Sequence, residues 1–599
     1  MRATFISYLS VLLGLTLAQS PAAPVVDVDY ALYQGYYDEY YDPNTFKGIR
    51  YAAAPVGELQ WQLPQDPPVN RSEIIPAVED GYQCPQSTNQ VLPAVTGVSN
   101  EDCLSLSVLA PVNATGLPVL VWIHGGGYGI GSAPQYPLPE LVRTNGNAFI
   151  VVSIQYRLGA FGFLSSTEVA RSGVLNAGIH DMIFALKWVQ SYIDRFGGDK
   201  NSVTISGISA GAGASMLLAM RDGGHPSESL FEGKIASSPF LPTQWRYDGS
   251  APTEAYNRFA EAAGCSTADV ATNGTVFDCL VATDSSVLQN ASDYVSRTGI
   301  VGQWAFNPVT DGTLIREAPT QQLPNGGDIA GTRLLTSNDM NEGPLFVQLH
   351  GITSRSDFIA WLQDIYPLLS EQNVTKVLDF YDVPDDVSGT LQRSNGRTPP
   401  FSTTTSQFAA GWQQAAFNLY AETTIVCPSY WMAEAWAAKR DSKAWKYQFS
   451  VSPGLHGTDS DPLLSPHDIT GTGMNDVFRT AVQRVWGNFG MNGDPTLGVD
   501  EVADNDQGNT TAAGTGAWPT WKGSARGNSM LNLNMTGGVP VLNAAPCPGV
   551  DLAPISYVPG NGSAPPLKAL FEIVDASTWE DRREDRCRLW AEMGSWINE

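Results

Sequence analysis

The stretch from Phe196 to Gly211, Phe-Gly-Gly-Asp-Lys-Asn-Ser-Val-Thr-Ile-Ser-Gly-Ile-Ser-Ala-Gly, leaves few folds open to this chain. A strand-like run ends in Gly207-Ile208-Ser209-Ala210-Gly211 and passes without a linker into Ala214, Met216, Leu217 and Leu218, which read as helix. Glycines two residues either side of Ser209 allow a strand to turn sharply into a helix, setting the Ser209 hydroxyl at an exposed, strained apex above the helix N-terminus. An anion forming there would meet unpaired backbone N–H groups and the positive end of the helix dipole. A five-residue Gly/Ser pattern is common in a chain with 58 glycines, so its context carries the argument.

That context is strand followed by helix. Leu117–Ile123 and Phe149–Ile154 are short, nearly continuous apolar runs, as expected of strands buried on both faces. Between the second of them and the Ser209 strand, Met182, Ile183, Leu186, Val189 and Ile193 recur at helical spacing until Gly197 and Gly198 stop the pattern. Trp445, Tyr447, Phe449 and Val451 alternate with polar residues and predict a late strand with one wetter face. This order implies an α/β fold with a large, mostly parallel sheet flanked by helices and sites at the carboxyl ends of strands. Tyr30 to Phe46 predicts a small antiparallel ribbon, and residues 503–564 predict loop packed over the body. No linker, repeat or charge run divides the chain, so residues 19–599 are expected to form one domain.

Residues 1–18, with Arg2 before an apolar run that ends at Ala18, read as a secretory signal peptide. The run is too short to span a bilayer and no later stretch is long enough, so no stable membrane anchor is expected. Eight N-x-S/T sequons, at Asn70, Asn113, Asn273, Asn290, Asn373, Asn509, Asn534 and Asn561, are then candidate glycan sites on an extracellular protein. With 34 basic against 60 acidic residues, the net charge of -26 argues against nucleic acid as a partner. Seven cysteines in an oxidising compartment imply disulfides with one thiol over. Cys84 and Cys103, and Cys265 and Cys279, are near enough to close local loops, whereas spacing leaves the pairing of Cys427, Cys547 and Cys587 open. No C-x-x-C or H-E-x-x-H occurs, so no metal site is expected.

A serine hydroxyl is a weak nucleophile until a base takes its proton, and the base needs a buried acid to orient it. On an α/β sheet with such an elbow the partners follow in the order acid, then histidine. His124 and His180 precede Ser209, and His225 follows it too closely. His350, in the apparently helical 346–350, reads as structural. His456 sits in a loop after the Trp445 strand and is preferred to His467. The acid is expected after Arg333-Leu334-Leu335, where Asp339 and Glu342 are both available and spacing does not separate them. Fixed N–H donors for a developing oxyanion are expected from the loop His124-Gly125-Gly126-Gly127-Tyr128-Gly129. No Gly-Lys-Ser/Thr follows, which disfavours a phosphate loop.

At these residues the chain resembles the type-B carboxylesterases, the α/β-hydrolase family that includes cholinesterases and fungal esterases and lipases. The likeness runs through Phe46–Ala52, Pro55–Gly57, Glu101–Leu104, His124–Gly127, Gln155–Phe163, Asn176–Gly178, Phe196–Gly211, Asn341–Gly343 and Leu455–Gly457. It implies Ser209 as nucleophile, Glu342 rather than Asp339 as acid, His456 as base, and oxyanion donors at Gly126, Gly127 and Ala210. It also implies disulfides Cys84–Cys103, Cys265–Cys279 and Cys427–Cys587, leaving Cys547 free, and no cofactor. The expected function is hydrolysis of small neutral carboxylic esters through an acyl-enzyme, with a glyceride lipase as the nearer alternative and a non-catalytic, cholinesterase-like interaction protein as the remoter one.

Three departures stand out. Ile208 occupies a position commonly glutamate in the family, which makes a cationic choline ester a poorer substrate. Gln60 replaces the arginine of Leu-Arg-Trp, so Glu101 needs another partner, and Ser105 replaces an aromatic residue or Thr. The loop between Cys84 and Cys103 is short for an amphipathic lid, which favours an esterase over a lipase.

Overall fold

The computed structural model describes residues 23–597 apart from 95, 271–273, 385–386, 388–390, 467–473, 499–517, 524–526, 538, 543–554 and 559–567. The expected signal peptide, His467, Cys547 and the sequons at Asn273, Asn509 and Asn561 lie outside the described residues.

Strands are numbered in chain order. A three-stranded sheet, ordered β1-β2-β5, comprises β1 (Val25–Asp27), β2 (Ala31–Gln34) and β5 (Asn70–Pro76). The main sheet contains β3 (Tyr36–Tyr37), β4 (Pro43–Arg50), β6 (Ser105–Pro111), β7 (Leu117–Ile123), β8 (Ile150–Ile154), β9 (Gly198–Ile208), β10 (Gly233–Ser237), β11 (Arg333–Asp339), β12 (Lys443–Phe449), β13 (Ser529–Thr536) and β16 (Lys568–Asp575). Its eleven strands run β16-β13-β12-β11-β10-β9-β7-β8-β6-β4-β3. Every neighbouring pair from β13 to β8 is parallel, and pairing turns antiparallel at both margins. β14 (Val539–Leu542) and β15 (Ile555–Val558) pair with each other.

The apolar runs explain the central strands. In β7, Val119, Val121 and Ile123 enter one core cluster and Leu120 and Trp122 the other, so both faces of the sheet are covered and the strand is apolar throughout. The helix Ala177–Tyr192 buries Met182, Leu186 and Val189 as the spacing predicts, and Gly197, at φ 85°, ends the turn that follows. The helix Ala210–Met220 is buried along its whole length, and its small first turns let it lie close to the sheet.

Three expectations need correction and one is extended. The N-terminal ribbon is antiparallel where β2 pairs with β1 and β3 with β4, as expected, and β2 takes a further, parallel neighbour in β5, beyond the predicted stretch. The chain leaves β2, forms β3 and β4 on the margin of the main sheet, and returns in the direction it started. The late strand has no wet face, because the helix Cys427–Ala438 packs over it; Lys446 and Gln448 are buried and bonded internally. Part of 503–564 is sheet rather than loop, since β13 pairs with β12; Leu531, Leu533 and Met535 alternate there with Asn532 and Asn534. His350 is exposed in a turn, beyond a 3₁₀ turn limited to Gly343–Leu345.

The disulfides Cys84–Cys103, Cys265–Cys279 and Cys427–Cys587 all form. Asn113 and Asn290 are exposed, and Asn70 and Asn534 half-buried. Asn373 is 8% exposed, with Nδ2 buried and without a partner among the described residues. No described helix is long and apolar enough to cross a membrane.

Candidate active site

Four strands of the parallel core, with β10 between β9 and β11, deliver the expected residues to one end of the sheet. β7 runs into the glycine loop, β9 into Ser209, β11 into Glu342 and β12 into His456, all at carboxyl ends of parallel strands.

Ser209 has φ 57° and ψ -125°, a conformation that L-residues reach only under strain, and it caps the helix Ala210–Met220. Backbone bonds hold it there: its N–H donates to Ser237 O at 3.0 Å, and its own O accepts from Gly213 at 2.9 Å and Phe240 at 3.1 Å. The flanking glycines serve close approach rather than an unusual φ. A Cβ on Gly211 would lie 2.0 Å from Ile123 O, and one on Gly207 would lie 2.6 Å from the carbonyl carbon of Gly211. The strand and helix therefore meet at a distance only glycine permits.

His456 Nδ1 lies 2.5 Å from Glu342 Oε2. Glu342 is fully buried, and its Oε1 accepts from Ser238 Oγ at 2.8 Å and from the N–H of Asp339 at 2.6 Å. With Nδ1 engaged, Nε2 is the nitrogen left without a partner among the described residues. The imidazole packs edge-on against Phe346 at 4.9 Å between centroids. Asp339 is not the partner of the histidine; its Oδ2 accepts the N–H of Gly457 at 2.7 Å.

Ser209 and His456 line one cavity of ≈ 220 Å³ with Gly126, Gly127 and Ile208, and no carboxylate, lysine or arginine lines it among the described residues. Gly126 has φ 114° and Gly127 φ 61°, and their N–H groups and that of Ala210 have no acceptor among the described residues. A Cβ on Gly127 or Gly129 would lie 2.2 Å from the Trp304 ring, so the glycine loop is also the bed on which that indole rests. Trp304 also lines a second cavity, of ≈ 310 Å³. Leu92, from the loop between Cys84 and Cys103, reaches the first cavity.

The remaining histidines stand apart. Burial pushes His124 down to about 4, and it is held by Gly125 O and stacked on Tyr156. His225 is exposed and pairs with Asp328. Gln60 Nε2 itself supplies the partner Glu101 requires, at 2.8 Å to each carboxylate oxygen, with Ser285 donating as well. Sequence reasoning missed Ser238, whose contact with Glu342 no motif marks. It also missed Asp459, 2% exposed, whose Oδ2 accepts from Ser237 and Tyr447.

A parallel sheet that presents a strained serine, a histidine–glutamate pair and a glycine loop at one end defines an α/β hydrolase. The chain belongs to the carboxylesterase family, whose family model matches residues 22–538. It is 32% identical to a lipase of Geotrichum candidum, Lipase 2, over 60% of this chain and 70% of that one. It is 27% identical to a secreted triacylglycerol lipase of Gibberella zeae over 82% and 85%. Among solved structures, EstA of Aspergillus niger superposes with a TM-score of 0.72 at 26% identity, covering 96% of this chain and 99% of that one.

Proposed function

We propose that the protein is a secreted serine esterase that cleaves neutral carboxylic esters through an acyl-enzyme. His456 Nε2 takes the Ser209 proton as Oγ attacks the ester carbonyl, and Glu342 holds the imidazole by Nδ1 and balances the charge it gains. The N–H groups of Gly126, Gly127 and Ala210 receive the oxyanion, and the helix N-terminus adds its dipole. His456 then protonates the departing alcohol, and water cleaves the acyl-Ser209 ester by the same steps. Secretion is supported by the three disulfides and by the relatives named as secreted.

The preference for neutral esters rests on the cavity wall. Ile208 lies beside Ser209 with no carboxylate to attract a cation, so an uncharged group loses least on leaving water there. Ser209→Ala is expected to lower kcat/KM for 4-nitrophenyl butyrate at least ~10⁴-fold while the protein is still exported; activity near that of the parent overturns the reading. Glyceride hydrolysis is the second reading, because several relatives are named lipases. A rate that jumps when tributyrin forms droplets selects it.

A further inference from the structure

The segment that carries Glu342 also grips the loop that carries His456, and it does so on both sides of the imidazole. Before His456, the N–H of Asn341 donates to Gly454 O at 2.7 Å, and Asn341 Nδ2 donates to Pro453 O at 2.7 Å. After it, Asp339 Oδ2 accepts the N–H of Gly457 at 2.7 Å, while the Thr458 hydroxyl donates within the loop to Leu455 O at 2.8 Å. The loop's own bonds, Thr458 N–H to Leu455 O and Ser460 N–H to Gly457 O, give it shape but do not place it relative to Glu342.

Asp339 has a second hold. Its backbone N–H donates to Glu342 Oε1, the oxygen not facing His456. One residue therefore touches the acid through its main chain and the residue after the base through its side chain. Its position is also costly: Asp339 is fully buried, and burial, then Asp459 and Glu342, push its carboxyl well above the usual carboxylate range. The fold keeps an acidic side chain in this dry place, where it meets the backbone beside His456.

We propose that Asp339 is a positioning residue for ester hydrolysis, fixing the distance and angle between the His456 imidazole and Ser209 by holding the Gly457 N–H. This rests on the reading of Ser209 and His456 as nucleophile and base. Asp339 acts through the loop and touches no reacting atom. Displacement of a catalytic group by about 1 Å is enough to cost ~10²-fold in rate, and the bond to Gly457 is the restraint nearest the imidazole on its C-terminal side.

The test compares Asp339→Ala and Asp339→Asn in the full-length protein on 4-nitrophenyl butyrate, with activity expressed per site labelled to completion by a serine-directed phosphonate. Asp339→Ala is expected to lower kcat per labelled site roughly 10- to 100-fold with KM within about twofold. Asp339→Asn, whose amide oxygen can still accept from Gly457, is expected to restore kcat to within about threefold of the parent. If Asp339→Ala yields too little folded protein, Asp339→Thr, too short to reach Gly457, carries the same expectation. An unchanged kcat per labelled site overturns the proposal, since a purely structural role removes sites without slowing those that remain. Equal impairment of the alanine and asparagine variants also overturns it. If Ser209→Ala retains activity, the esterase reading falls instead, and that result is distinguishable because it does not involve residue 339.

Discussion

Asp459 sits beneath the candidate triad with one carboxylate oxygen shared by three hydroxyls, of Ser237, Tyr447 and Ser337, and the other without a partner among the described residues. Burial, opposed by the Ser237 bond and reinforced by the charge of Glu342, pushes its carboxyl up to about 6. A carboxyl with a raised folded-state pKa favours the fold while protonated. That contribution is complete below the unfolded value near 4 and is lost as pH rises through about 6. Asp459→Asn removes the titration, so the parent is expected to lose ~2 kcal/mol relative to this variant between pH 4 and pH 7. Urea unfolding of both at the two pH values checks it, and a gap that does not widen refutes it. Asp459 is not legible in the sequence, and Asp339 is legible only as a rival to Glu342, because nothing in a chain with 60 acidic residues marks the few that are buried. Ser209 and His456 were legible because chain order and strand-end loops constrain them. The choice of Glu342 needed the family resemblance, since spacing along a turn does not reveal which of two carboxylates points at the imidazole.

Elements announce themselves in sequence when water faces one side of them or when both sides are apolar, and β12 does neither. Its second face holds Lys446, which donates to Asn338 and Ser429, and Gln448, which accepts from Trp579 and Arg583. A buried polar face has the same alternation as a wet one. The partner elements show why it is dry: the helix Cys427–Ala438 lies over it, and the helix Trp579–Glu592 joins through Arg583 and Arg586, both bound to Glu422. Burial alone would push the Glu422 carboxyl up, but Arg586 and then Arg583 outweigh it and hold the group below its usual range. Its stabilising contribution is therefore present above the unfolded pKa and lost only in stronger acid. Glu422→Gln leaves two buried guanidinium groups without the carboxylate they both bond and is expected to cost ~3–5 kcal/mol at pH 7. Denaturant unfolding measures that loss. A smaller loss at neutral pH than at pH 3 contradicts the sign of the effect.

At the scale of the molecule, the C-terminal segment is attached both by ions and by a covalent link. Cys427 and Cys587 are separated by 160 residues, and the chain between them includes β12, the His456 loop and β13. The sequence alone left this pairing open among three cysteines, because distance along the chain says nothing about proximity once a strand from residues 529–536 has joined the main sheet. Closing so long a loop removes entropy from the unfolded chain, and the chain-entropy account puts the gain at about 5 kcal/mol, with 2–5 kcal/mol typical when a native bridge is lost. The folded state keeps its contacts without the bridge: Arg583 and Arg586 still hold Glu422, and Trp431 Nε1 still donates to Cys587 O at 3.0 Å. The double variant Cys427→Ser, Cys587→Ser is thus expected to fold and hydrolyse 4-nitrophenyl butyrate within about twofold of the parent rate at 25 °C, while unfolding with ~2–5 kcal/mol less stability. Parallel activity and urea-unfolding measurements separate the two effects. Full loss of activity at 25 °C would show that the bridge shapes the His456 loop itself, and unchanged unfolding would show that the ion network alone secures the C-terminal helix.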